Sequence, residues 1–168
     1  MGDVVDRHML MNRTAVALAT FVAALALAGC SIPRWPVQGP MTSAYGVRVR
    51  GILPELHEGV DVYVPEGTAV HAMKDGRVTH AGMMGGFGLA VVIDHGGSLL
   101  TLYGHLSRVD VSAGDPVSGR QPIGLSGSTG NATGPHLHFE IWRRGRPEDP
   151  VPLLGGKPRV ETVRAGAS

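Results

Sequence analysis

The sequence predicts a mainly β, antiparallel domain. Three observations carry that expectation. Short apolar runs alternate with polar residues at a period of two, glycine-bearing turns separate the runs, and nothing beyond the first thirty residues sustains a 3.6-residue apolar period. The 168 residues suffice for one domain. The 25 glycines and 12 prolines follow no fixed repeat, which argues against a collagen or a solenoid. Aromatic residues make up only 5%, so the core must be built from Val, Leu, Ile and Ala. A net charge of +1 with neutral histidines, and no lysine–arginine run, argues against nucleic acid as the main partner.

The first thirty residues read as an export signal. In "MLMNRTAVALATFVAALALAGCS", Arg13 supplies the positive charge and Ala15 to Ala28 the apolar run, with small residues after it. The run is shorter than the roughly 20 residues that cross a bilayer comfortably. Asp3 and Asp6 are out of character for such a leader, so translation starting at Met9 or Met11 gives a cleaner signal, with residues 1–29 removed in either case. The tetrad Leu27-Ala28-Gly29-Cys30 resembles the bacterial lipobox, which implies a lipidated Cys30 as first mature residue and a membrane anchor through that lipid. Ordinary cleavage after "ALA" at 26–28 is the rival. Ser31 resembles the outer-membrane sorting class, so the expected location is the cell envelope, on the periplasmic face of the outer membrane in a Gram-negative host. Cys30 is the only cysteine, which excludes an intrachain disulfide.

Residues 30–40 read as a short tether, because Pro33, Pro36 and Pro40 forbid a regular helix or a central strand. The domain is expected over 41–154. "HEGVDVYVP" places Val60, Val62 and Val64 on one strand face. "TAVHAMKDGRVTHAG" predicts a hairpin around Asp75-Gly76, and "GLAVVIDHGGSLLTLYGHLS" two strands around Gly96-Gly97. "HLHFEIWRRGRPEDP" adds a strand and a turn near Gly145. Residues 155–168 lack an apolar pattern and are expected to be a loose tail.

Candidate chemistry falls in three segments. "HEGVD" sets His57 and Asp61 four apart, on a shared face in either a strand or a helix. "LYGHLS" puts His105 at the end of an apolar strand. "GPHLHFEI" sets His136 and His138 two apart, on one face of a strand. Three nitrogen or oxygen ligands and a water make a catalytic zinc site, and two histidines remain to polarise the water and stabilise an oxyanion. Spacing alone leaves open which histidines are ligands. Two histidines and a carboxylate also describe a non-haem iron oxygenase site.

Together, "HEGVD", "YGHLS" and "TGPHLHFEI" resemble, in order and approximate spacing, the M23 zinc metallopeptidases of lysostaphin and LytM type. "GPMTSAYGVR", "VPEGTAVHAMKDGRV", "GGFGLAVVIDHG" and "IGLSGSTGNATGPHLHFE" extend the resemblance over Val37 to Pro150. It implies a two-sheet β architecture with a groove and one zinc ion per chain, bound by His57, Asp61 and His138. It implies His105 and His136 as the non-ligand catalytic histidines. The implied substrate is the peptide part of bacterial peptidoglycan, with a D-alanyl crosslink favoured. Some members of the family instead bind cell wall or activate another hydrolase, usually with ligands lost. Tyr45, Leu89 and Arg120 depart from residues common in the family, respectively phenylalanine, asparagine and glycine.

The remaining candidates are expected to be structural. His8, His71, His80 and His95 read as structural or solvated. Glu140 is expected to turn away from His138, to solvent or to a supporting role, and Glu58 to face away from His57. Phe139 and Trp142 are expected in the core or groove wall. Thr129, Asn131 and Thr133 suit backbone hydrogen bonds in a glycine-rich turn that borders the groove.

Overall fold

The computed structural model describes residues 31–50 and 53–160. The expected export signal, the expected lipidation site Cys30 and residues 161–168 lie outside the described residues. Among the described residues twelve strands follow in order: β1 (Met41–Ser43), β2 (Gly46–Arg50), β3 (Leu53–His57), β4 (Val60–Val62), β5 (Ala69–His71), β6 (Gly76–Met83), β7 (Leu89–Asp94), β8 (Leu99–Val109), β9 (Pro116–Val117), β10 (Pro122–Ser126), β11 (Leu137–Arg143) and β12 (Arg146–Glu148), with a 3-10 turn at Gly85–Phe87 between β6 and β7 and one α-helical turn, α1 (Pro150–Leu153), after β12. All pairings are antiparallel. Ten strands form one sheet, seven along the path β1-β4-β11-β8-β7-β6-β9 and three off it, with β10 paired to β5 and β8 and β12 paired to β11; β2 and β3 form a separate two-stranded ribbon. Among the described residues no helix is long and apolar enough to cross a membrane.

The core follows from strand alternation. Val60, Val62 and Val64 are all buried, as the sequence pattern predicts. Leu137, Phe139 and Ile141 of β11 join them, with Tyr103 of β8 and Trp35 tilted against Phe139 at ring distances of 5.3 and 6.1 Å. The opposite face of β11 carries His138 and Glu140. One strand therefore divides its residues between core and groove.

In β8, Tyr103 and Leu106 both enter the core although they are three residues apart. A regular strand would put them on opposite faces. Their partners on β7, Val91 and Leu89, are only two apart, so β8 carries one extra residue. His105 absorbs it with φ of 61°. This is a β-bulge, and it turns His105 out of the alternation toward the groove.

The turn signals fared unequally. The β7–β8 hairpin forms around Gly96-Gly97, and β11–β12 closes through Arg144 and Gly145, both at positive φ as a type I′ turn requires. The hairpin expected around Asp75-Gly76 does not form. β5 pairs with β10, and β6 pairs with β7 and β9. Gly76 is there for close approach: a Cβ would stand 2.5 Å from Asp94 O. Asp75 instead accepts from the Gly119 amide at 2.6 Å through Oδ1.

The proline-rich segment is no free tether from Ser31 onward. Ser31 Oγ accepts from Asp75 N, Arg34 N donates to Met73 O, and His71 N donates to Pro36 O. Val37 is buried in the core. Residues 155–160 lie against the same segment, with Trp35 Nε1 donating to Gly156 O and Arg159 N to Gln38 Oε1, so this part of the expected tail is tied down. Of the departures, Tyr45 donates its hydroxyl to Pro147 O, a bond phenylalanine cannot make, and Arg120 keeps the left-handed φ of 69° that glycine would favour.

Gly59, between His57 and Asp61, sits where a Cβ would meet Phe139 O at 2.4 Å. That contact lets the chain pass from β3 into β4 alongside β11. Gly59→Ala is expected to destabilise the metal-free domain by roughly 1–3 kcal/mol, read as a lowered thermal midpoint. An unchanged midpoint would show that this crossing does not set the β3–β4 geometry.

Candidate metal centre

The sheet register brings the predicted residues together. Asp61 of β4 is the direct cross-strand partner of His138 on β11. His57, at the end of β3, adds a third donor. Asp61 Oδ1 lies 3.2 Å from His57 Nε2 and 2.8 Å from His138 Nδ1, and the two nitrogens are 3.3 Å apart. Donors at about 2.0–2.1 Å from a tetrahedral zinc stand about 3.3 Å from one another. The three atoms therefore make a slightly contracted face of that tetrahedron, and they line a groove of about 300 Å³ that leaves room for a fourth ligand.

The outer nitrogens are held as well. His57 Nδ1 lies 2.8 Å from Ala44 O and donates to it, which turns the Nε2 lone pair inward. His138 Nε2 donates to Glu140 Oε1 at 2.9 Å, and Trp142 Nε1 donates to Glu140 Oε2 at 2.6 Å. Carboxylate or carbonyl partners on the far nitrogen are what fix the tautomer and basicity of a metal-binding histidine. Glu140 is thus not turned away from His138. Residues 138 and 140 are two apart and share a strand face, so the expectation of opposite faces fails on the strand period itself. At 2% exposure Glu140 is a buried carboxylate, sustained by these two donors.

Two imidazole nitrogens and a carboxylate oxygen facing one another are all acceptors, so their convergence calls for a cation among them. Without metal that cation is a proton on His138. Burial acts against it, but the bonds to Asp61 and Glu140 prevail and push His138 up to about 9. Burial likewise works against the Asp61 carboxylate, yet the bond from His138, with His57 close beside it, holds it well below the usual carboxylate range.

His105 and His136 complete the site without joining the triangle. Their rings are 4.7 Å apart, and His105 is 5.8 Å from the His138 ring. His105 Nδ1 donates to Thr129 O and His136 Nδ1 to Gly134 O, each at 2.8 Å. Each ring so keeps an Nε2 lone pair free, and His136 Nε2 lies 3.8 Å from Asp61 Oδ1. Burial, aided by the nearby histidines, holds His105 below the usual histidine range against the opposing bond to Thr129. Asn131 and Thr133 border the groove as expected, while Thr129 Oγ1 bridges Leu89 N and Leu106 O.

Sequence reasoning missed Arg48. Its Nη1 reaches Asp61 Oδ2 at 3.5 Å and Ser43 Oγ at 3.0 Å, and its Nε is buried without a partner among the described residues. Asp61 thereby offers one oxygen to the histidines and the other to a cation. No motif marks Arg48; only the β2–β3 register, which pairs it with Glu55, brings it over the site. His71, His80 and His95 stand apart, bonded to Pro36 O, Gly82 O, and Asp75 O with Thr101 respectively.

Residues 55–150 match Peptidase family M23. The chain belongs to this family. Over 131 residues it is 42% identical to the murein hydrolase activator EnvC of Escherichia coli, spanning 76% of this chain and 31% of that protein. Over 122 residues it is 45% identical to the DD-carboxypeptidase/endopeptidase Mpg of Neisseria meningitidis, spanning 71% of this chain and 28% of that one. The M23 chain thus spans about a third or less of the length of these curated relatives. Its fold superposes on the catalytic domain of the antimicrobial peptidase lysostaphin from Staphylococcus simulans with a TM-score of 0.65 and 35% identity, covering 70% of this chain and 93% of that domain.

Two outcomes test this geometry. Zinc must displace the His138 proton, so affinity of the stripped M23 domain should rise as pH climbs from 6 toward about 9 and then level, with proton release; indicator competition measures it, and a flat profile would remove His138 from the ligand set. Glu140→Gln should weaken zinc binding about 10- to 100-fold. Wild-type affinity in that variant would show that Glu140 serves packing alone.

Proposed function

We propose that this M23 domain is a zinc-dependent endopeptidase that hydrolyses peptide bonds in bacterial peptidoglycan, with D-alanyl crosslinks as the preferred bond. The observation that carries the reading is the convergence of five groups in one groove: three donors with their outer atoms anchored, and two histidines with free Nε2 atoms. Bound zinc would supply Lewis acidity, lowering the pKa of a water toward about 7 and polarising a carbonyl. His57, Asp61 and His138 would hold it.

The chain's own residues supply the proton handling. His105, kept neutral by burial at physiological pH, can accept a proton at Nε2 from the attacking water. His136, also open at Nε2, can accept the second O–H of that water and so orient it, and the proton gained by His105 can pass to the leaving amine. The hydrogen bonds to Thr129 O and Gly134 O fix both rings so that neither must reorient during the reaction.

EnvC, an activator by name, favours a second reading in which the domain only binds wall or activates another hydrolase. A binding role needs neither the anchored donor set nor the two free imidazoles, and all five positions are present here, so the enzymatic reading is the stronger. The relative Mpg, named as a DD-carboxypeptidase/endopeptidase, supports the choice of bond. Action on peptidoglycan places the protein outside the cytoplasm. The Leu27–Cys30 tetrad supports export and a lipid anchor at Cys30, in the outer membrane of a Gram-negative host.

Digestion of purified peptidoglycan by the zinc-loaded protein, with fragments identified by mass, tests the proposal. Chelator-sensitive fragments are expected, absent with Asp61→Ala, which should lose metal and activity together. His105→Ala should retain zinc and lose about 10²- to 10⁴-fold in rate. A near-wild-type rate would withdraw the role given to His105, and no fragments from any wall type would transfer the reading to the activator class.

A further inference from the structure

Apart from the groove, the described residues enclose a larger open depression of about 990 Å³ between segments 32–38 and 154–160. Arg34, Arg120, Lys157 and Arg159 line it, and among the described residues no carboxylate does. All four are exposed, and among the described residues none lies within ion-pair distance of an Asp or Glu. The whole chain carries 15 lysines and arginines against 14 carboxylates. Four unmatched cations on one wall are therefore a segregation of charge, not the mark of a basic protein.

The frame beneath them is ordered by hydrogen bonds from their backbone amides. Arg34 N donates to Met73 O, Arg120 N to Ala72 O, and Arg159 N to Gln38 Oε1. Asp75, close by at Ser31, is spent on the Gly119 amide. Ile32 and Val160 stand 73% and 62% exposed on the same depression. Cations interleaved with exposed aliphatic side chains suit a plane of phosphate headgroups over acyl chains better than a fully hydrated polyanion.

We propose that this face docks on a membrane surface of anionic lipid headgroups. Ser31, fixed to the domain beside the depression, directly follows Cys30 in the chain, so an anchor there would present this face to the bilayer. The docking rests on charge and shape, and requires neither lipidation of Cys30 nor hydrolysis of peptidoglycan. With this face down, the domain lies close against its membrane instead of trailing on a leash.

The test uses Ser31–Ser168, which holds every described strand and the whole described core as one compact unit, and whose lysostaphin counterpart is itself an isolated catalytic domain. It is sedimented with vesicles of phosphatidylcholine, or of phosphatidylcholine with phosphatidylglycerol. Binding is expected to the anionic vesicles alone, to fall with added salt, and to drop at least about fivefold for each cation reversed among Arg34→Glu, Arg120→Glu, Lys157→Glu and Arg159→Glu. Arg77→Glu with Arg146→Glu, charge changes outside the depression, should leave most binding intact. Unchanged zinc content and thermal midpoint certify that each variant is folded. Equal binding to neutral vesicles, none to anionic ones, or equal loss from the control pair would overturn the proposal. Displacement by soluble polyphosphate at matched charge would assign the face to a polyanion and overturn it too. Peptidoglycan digestion proceeds independently of these outcomes, so the two readings fall separately.

Discussion

His138 stands between two carboxylates, and most of the site can be understood from that placement. Its Nδ1 faces Asp61 and its Nε2 faces Glu140, at 2.8 and 2.9 Å. An imidazole so placed demands positive charge on its inner side, because Asp61 Oδ1 and His57 Nε2 are acceptors as well. A proton satisfies one edge of that triangle. A divalent ion satisfies all three. The side chains around it prevent any cheaper escape: Trp142 fixes Glu140 from behind, Ala44 O fixes His57, and Arg48 engages the remaining Asp61 oxygen. Removing one partner would leave buried polar groups unmatched, so the cluster behaves as a unit.

The same strand that presents His138 to the groove presents Leu137, Phe139 and Ile141 to the core. Its neighbours β4 and β8 deliver Asp61 by direct register and His105 by a bulge. The difference in method fits the tasks proposed for the two residues. A ligand must sit opposite its partner at bonding distance, which regular pairing gives. A proton-handling residue must stand off from the ligands, which requires leaving the ladder. Left-handed φ at a non-glycine residue is unfavourable by about 1 kcal/mol or more, and here it falls on a residue whose direction matters to the groove.

Much of this was legible in the sequence, and the failures have particular causes. The alternation of Val60, Val62 and Val64 and the glycine turns at 96–97 and 145 foretold local structure, because they depend on neighbouring residues only. The five groove residues were identifiable because three short motifs carry them. The hairpin at Asp75-Gly76 failed since a glycine demanded by a distant carbonyl looks, in sequence, like a glycine demanded by a turn. The tether expected at 30–40 is, from Ser31 onward, packed down: prolines exclude regular strands but not packing, and Trp35 and Val37 supply the apolar surface that holds the segment. The facing expected for Glu140 failed on strand counting, although the supporting role did not, and Arg48 could not be found at all, since its place over Asp61 comes from the ribbon's register.

Because core and site share β11, the occupant of the triangle affects the stability of the fold as well as its chemistry. The sign differs for the two cations. A histidine raised from the ordinary value near 6.5 to about 9 stabilises the metal-free domain fully below 6.5, and that contribution is lost as pH rises through 9. Asp61, held low, contributes above its ordinary range and gives way only in strong acid. A metal ion moves oppositely to the proton, binding better as His138 is relieved of it, and stabilises the folded state by mass action. Proton and metal are thus alternative fillings of one acceptor cage, the first sufficient in mild acid and the second needed as pH rises. A domain built in this way can fold before it meets its metal, provided the medium leaves His138 protonated, and it becomes more dependent on that metal under the alkaline conditions in which the metal is bound most tightly.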